Sequence, residues 1–149
     1  MTTITQESLD LGQVLVDLFN KKFPNQLAFT RKGMGSVVIY TFLTDKENIN
    51  KNLNGISQND PFYASFLLSF ENGIYELDFD KPCLMCKPKN PIMAMHSEVM
   101  KNLRKVKGDK NDIIKGFTKF LDKRDAFIKQ HKENIFNVAK IDEKYFITN

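Results

Sequence analysis

Phe62-Tyr63-Ala64-Ser65-Phe66-Leu67-Leu68-Ser69-Phe70-Glu71-Asn72-Gly73-Ile74-Tyr75-Glu76-Leu77-Asp78-Phe79 is the stretch on which the fold turns. Two runs rich in aromatic and aliphatic residues flank Glu71-Asn72-Gly73. An Asn-Gly pair favours the left-handed backbone of a tight hairpin turn. The return run alternates, with Tyr75, Leu77 and Phe79 on one face and Ile74, Glu76 and Asp78 on the other. That pattern predicts a strand with one buried and one wet face. Glu76 and Asp78 would stand about 7 Å apart by strand geometry. They read as a solvated pair rather than as an acid–base couple, because charged residues are mostly exposed.

Upstream, Val37-Val38-Ile39-Tyr40-Thr41-Phe42-Leu43 is β-branched and aromatic enough for a strand buried on most of both faces. With Leu27 to Arg31 and the turn Gly33 to Ser36 it makes a first hairpin over 27–43. Before it, Leu11, Leu15, Leu18 and Phe19 recur at helical spacing and predict a helix over about residues 6–23. Thr3 or Thr5 can cap that helix, and Pro24 ends it. The 44–61 stretch reads as a connection, and Pro82, Pro88 and Pro91 break the pattern over 80–91. An imperfect apolar stripe then predicts a helix over 92–106. Ile113, Ile114, Phe117, Phe120, Leu121, Phe127 and Ile128 predict a longer one over 112–134. The tail, 135–149, is apolar enough to dock.

Strands grouped between helices mean α+β: an N-terminal helix, a four-stranded antiparallel sheet from two hairpins, and two C-terminal helices packed on it. No helix joins successive strands, so a parallel α/β sheet is excluded. The 149 residues suit a single domain, 1–149, with helix plus sheet in 1–91 and a helical part in 92–149. The composition, 42% hydrophobic and 27% charged, is that of an ordinary globular chain. No apolar run is long enough for a transmembrane helix. Met1 to Glu7 has neither the basic nor the apolar region of a secretory leader, which points to the cytoplasm. The abundance of Lys and Asn, both encoded by AT-rich codons, points to a low-GC bacterium or a phage.

The net charge of +4 is unevenly placed. Residues 1–97 carry 9 Lys/Arg against 10 Asp/Glu, whereas residues 98–149 carry 13 against 8. Lys101, Arg104, Lys105 and Lys107 cluster, and Lys115, Lys119, Lys123, Arg124, Lys129 and Lys132 follow on the next helix. Repeated cations are what phosphate neutralisation needs. Interleaved Asp109, Asp112, Asp122, Asp125 and Glu133 argue instead for an ordinary solvated helix face. Most of the 13 Phe residues must be core, and a Phe-packed core is the ordinary reading; an exposed remainder with the second hairpin, the stripe Met93, Met95, Met100 and the aromatic tail would mark a protein-binding surface. The leading expectation is therefore a non-enzymatic adaptor or inhibitor that binds another protein. A nucleic-acid-binding module using Lys101, Arg104, Lys105, Lys107, Lys115, Lys119 and Lys123 comes second.

Cys83-Leu84-Met85-Cys86 supplies two thiolates at zinc-knuckle spacing, with His96 nine residues on and His131 farther along. It lacks a second close ligand pair, and no cofactor is expected. A redox role is disfavoured, because prolines rather than a helix follow the motif.

Two outcomes follow from these readings. Gly73→Val should lower stability by about 1–3 kcal/mol in urea denaturation, the usual cost of a side chain forced into positive φ; an unchanged midpoint would mean a different turn. Elemental analysis of purified protein should find no stoichiometric zinc, and Cys83→Ser with Cys86→Ser should leave the fold intact.

Overall fold

A computed structural model of the chain describes residues 4–33, 35–42, 64–79, 102–139 and 143–149. Helix α1 spans Gln6–Lys22; the strands are β1, Ala28–Lys32, β2, Val37–Thr41, β3, Ala64–Glu71, β4, Ile74–Asp78, and β5, Lys105–Gly108. Helices α2, Lys110–Gln130, and α3, Lys132–Ala139, follow, and a 3-10 turn covers Glu143–Phe146. The strands form one antiparallel sheet in the order β1-β2-β3-β4-β5. The class is α+β, as expected, with five strands among the described residues where four were expected.

Local chemistry accounts for most boundaries. The Thr5 side chain accepts a hydrogen bond from the Ser8 amide at 3.1 Å and caps α1, and the chain leaves the helix at Phe23, ahead of Pro24. Asn72 and Gly73 take φ of 54° and 77°, a type I′ turn between β3 and β4. Asp109 and Asp112 cap α2 reciprocally, each carboxylate accepting from the other's amide at 3.0 Å.

β5 corrects the sequence reading. Residues 102–108 are a turn and a strand, not the end of a helix over 92–106; positions 92–101 lie outside the described residues. Pairing decides it: Leu77 faces Val106, while Glu76 and Asp78 face Lys107 and Lys105. The Phe79 amide extends this ladder by donating to the Arg104 carbonyl at 2.9 Å. The helix expected over 112–134 is also divided, with His131 as the C-cap of α2.

The helices pack on the sheet face that carries Val37, Ile39, Phe66, Leu68, Tyr75, Leu77 and Val106. A Cβ at Gly12 would lie 3.1 Å from Val37 Cγ1, so α1 crosses β2 closely. Phe66 meets Phe79, Phe117 and Phe120 with ring centroids 4.5–6.4 Å apart. Eight phenylalanines (19, 23, 42, 66, 79, 117, 120 and 127) are buried, so most of the Phe excess is core. The Tyr75 hydroxyl donates to Glu7 Oε2 at 3.4 Å. Burial first, and then the Glu7 carboxylate, raises its pKa above the ordinary 10.0.

Two polar residues depart from expectation. Asp78, read as solvated, is only 4% exposed. Arg124, read as part of the basic helix surface, is fully buried. Its guanidinium carbon lies 4.8 Å from the Phe19 ring centre and 4.7 Å from that of Phe23. Nη1 donates to the Gln26 side-chain oxygen and Nη2 to the Phe42 carbonyl, the latter at 3.3 Å. The charge is thereby held by hydrogen bonds and ring faces, which a buried cation requires.

The crossing of α2 over β5 generates a test. A Cβ at Gly116 would lie 2.6 Å from Val106 Cγ2 and 3.1 Å from Val106 Cβ. Gly116→Ala should therefore cost about 1–3 kcal/mol by overpacking. In a double-mutant cycle, Val106→Ala should relieve much of that cost; strict additivity would show that this contact does not set the approach.

Candidate anion-binding cleft

Where α2 crosses β5, a cleft of about 530 Å³ opens, lined by Asn102, Leu103, Lys105, Val106, Gly116, Lys119, Asp122 and Lys123. Its shape follows from the close crossing. Gly116 brings the helix down onto Val106, and the next turns of α2 diverge from the strand with Lys119 and Lys123 on one wall. The 102–104 turn supplies the other wall. Arg104 has φ of 55°, a left-handed backbone that turns the chain into β5. Leu103 and Val106 contribute apolar surface, and Lys105 borders the cleft on the strand, its side chain alternating to the other sheet face beside Asp78.

The fold thus gathers three of the cations proposed from sequence, Lys105, Lys119 and Lys123. Lys115 is exposed on α2, outside the cleft lining, and Arg104 is exposed at the turn. Lys107 is 3.5 Å from Glu76 Oε1 across the β4–β5 ladder. Lys101, Cys83, Cys86, His96 and the Met93–Met100 stripe lie outside the described residues. Among the described residues, no group of three or more His, Cys, Asp and Glu could hold a metal, and no helix is long and apolar enough to cross a membrane.

The acids expected to neutralise this surface are largely committed elsewhere. Asp109 and Asp112 bind each other's backbone in the capping box. Asp125, 13% exposed, points one oxygen at Lys129 and Lys22, at 3.0 and 3.7 Å. Asp122 alone of these acids lines the cleft. Arg104, Lys105, Lys115, Lys119 and Lys123 make no ion pair among the described residues. Lys115, Lys119 and Lys123, four residues apart, step along the exposed face of α2 about 6 Å at a time.

Sequence reasoning missed Asn102, Leu103, Val106, Gly116 and Asp122 as parts of a site. Gly116 carried the only signal, a glycine within an apolar helical repeat, which marks close packing when it is retained. Comparison with known protein families, with curated proteins and with solved structures gave no match.

Proposed function

We propose that this chain is a non-enzymatic binding protein whose partner is a nucleic acid, held electrostatically by α2, the 102–104 turn and the start of β5. The observation that carries this reading is the set of five cations without ion-pair partners among the described residues, beside acids already engaged in the capping box or with Lys22 and Lys129. Unpaired cations repeated along a helix at near-phosphate spacing give salt-dependent affinity for a polyanion. Lysine in place of arginine suits backbone contact better than base readout. Binding through protein contacts, the first expectation from sequence, draws less support. Among the described residues, most of the phenylalanines are core, and the exposed large apolar residues, Val14, Ile74 and Ile147, lie in separate parts of the chain.

The test is a salt titration of the full chain with a labelled oligonucleotide bearing a 5′-hydroxyl, read by fluorescence anisotropy. Affinity should fall steeply with salt, each phosphate contact adding about −0.7 to the log–log slope on a single strand or about −0.9 on duplex. Changing Lys115, Lys119 and Lys123 together to Gln should flatten the slope by about two units on a single strand and nearly three on duplex, with circular dichroism unchanged. A folded triple variant with an undiminished slope, or wild-type protein with no measurable binding at low salt, would refute the proposal.

A further inference from the structure

We propose that residues 143–149 form a strap that caps α1 across the fold, with Asn149 supplying the hydrogen bond that Pro24 cannot make. The need for it lies in the sequence at the end of α1. The last carbonyls of a helix have no partner within the helix. In the usual C-terminal cap, the residue after the C-cap takes a left-handed backbone, and its amide donates to a carbonyl of the last turn, three residues back. The C-cap of α1 is Phe23, so that residue is Pro24. Proline has no amide hydrogen, and its ring holds φ at about −65°. Neither the bond nor the left-handed turn is open to it. The carbonyl that thereby loses its local donor is that of Lys21.

Asn149 meets that carbonyl. Its side-chain amide donates to the Lys21 carbonyl at 2.8 Å, and its backbone amide donates to the Lys22 carbonyl at 2.9 Å. One residue, 128 positions along the chain from Lys21, thus serves two consecutive carbonyls of the last turn. A second tie runs the other way, from the Asn25 side-chain amide to the Lys144 carbonyl at 2.8 Å. Between the two ties, Phe146 packs against the core, with Lys132 Nζ 5.7 Å from its ring centre. The strap is therefore anchored by an apolar side chain and pinned on either side of it by hydrogen bonds. The segment it holds carries Phe23 and Gln26, both in contact with the Arg124 guanidinium. The end of α1 is gripped from inside by Arg124 and from outside by the strap. The grips differ in kind. Arg124 is fully buried, whereas the Asn25 and Asn149 side-chain bonds are exposed to water and can open while the sheet stays closed.

Native-state hydrogen exchange of the full chain tests this. It is read at the Phe23 amide, which donates to the Phe19 carbonyl at 2.8 Å, with the amides of β2 and β3 as the reference. Asn149→Ala should speed exchange at Phe23 about fivefold, the effect of one ordinary hydrogen bond, and leave β2 and β3 unchanged. Asn149→Asp should speed it further, because a carboxylate does not donate and faces the negative end of the helix dipole. Deleting residues 147–149 removes both bonds to α1 and should exceed Asn149→Ala. Pro24→Gly restores an amide and a left-handed option at the position after the C-cap, so in that background Asn149→Ala should have little effect. A Phe23 rate unchanged by Asn149→Ala would overturn the proposal. So would the same fivefold rise in the Pro24→Gly background, since the two residues would then not be substituting for one another. An equal rise at β2 and β3 would overturn it as well, because it reports global unfolding and not the release of a strap.

Discussion

The guanidinium of Arg124 lies against the rings of Phe19 and Phe23, themselves in contact, and reaches the Gln26 side chain and the Phe42 carbonyl. These groups come from α2, the end of α1, the turn beyond it and the residue after β2. One side chain therefore fixes where both helices sit on the sheet. The arrangement is unforgiving, since a buried guanidinium that loses a hydrogen-bond partner keeps its desolvation penalty. The docking of α2 and the aromatic cluster of Phe66, Phe117 and Phe120 depend on it, and so does the crossing over β5 that opens the cleft.

Where structure is encoded in neighbouring residues, it was legible. Asn72-Gly73 specifies its own backbone, and Val37 to Thr41 is apolar enough to announce a strand buried on both faces, which it is. β5 was not legible. Lys105-Val106-Lys107-Gly108 has one apolar residue, and Leu103 and Val106 also match a helical stripe. What makes it a strand is β4, whose Leu77, Glu76 and Asp78 stand opposite complementary residues almost thirty positions away. Arg124 hid for a different reason. Its position falls within the stripe of Phe117, Phe120, Leu121, Phe127 and Ile128, but its charge and its neighbours Lys123 and Asp125 disguised it as surface. Spacing was the better guide than residue type.

The candidate site was legible only as a composition. The sequence showed a basic final third but not which cations remain unengaged, since that depends on where the acids go. Asp109 and Asp112 look like neutralising charges in a linear reading, and in the fold they serve the first turn of α2. Lys107 is drawn to Glu76, and as an edge-strand lysine it also discourages pairing with a foreign strand. Local structural demands on Asp109, Asp112 and Asp125 thus decide which lysines keep no carboxylate within ion-pair distance among the described residues.

The reach of Arg124 along the chain has a kinetic meaning. Gln26 precedes it by 98 residues, and the Phe42 carbonyl by 82. During synthesis, α1 and the first hairpin emerge well before the group that binds them. Until α2 follows, Phe19, Phe23 and Gln26 lack the partner that organises them. The nascent chain must pass through an interval with aromatic surface uncovered, the kind of species that invites chaperones or aggregation. Closure of the core is consequently a late, long-range event, and the contact order it imposes argues for slow rather than microsecond folding.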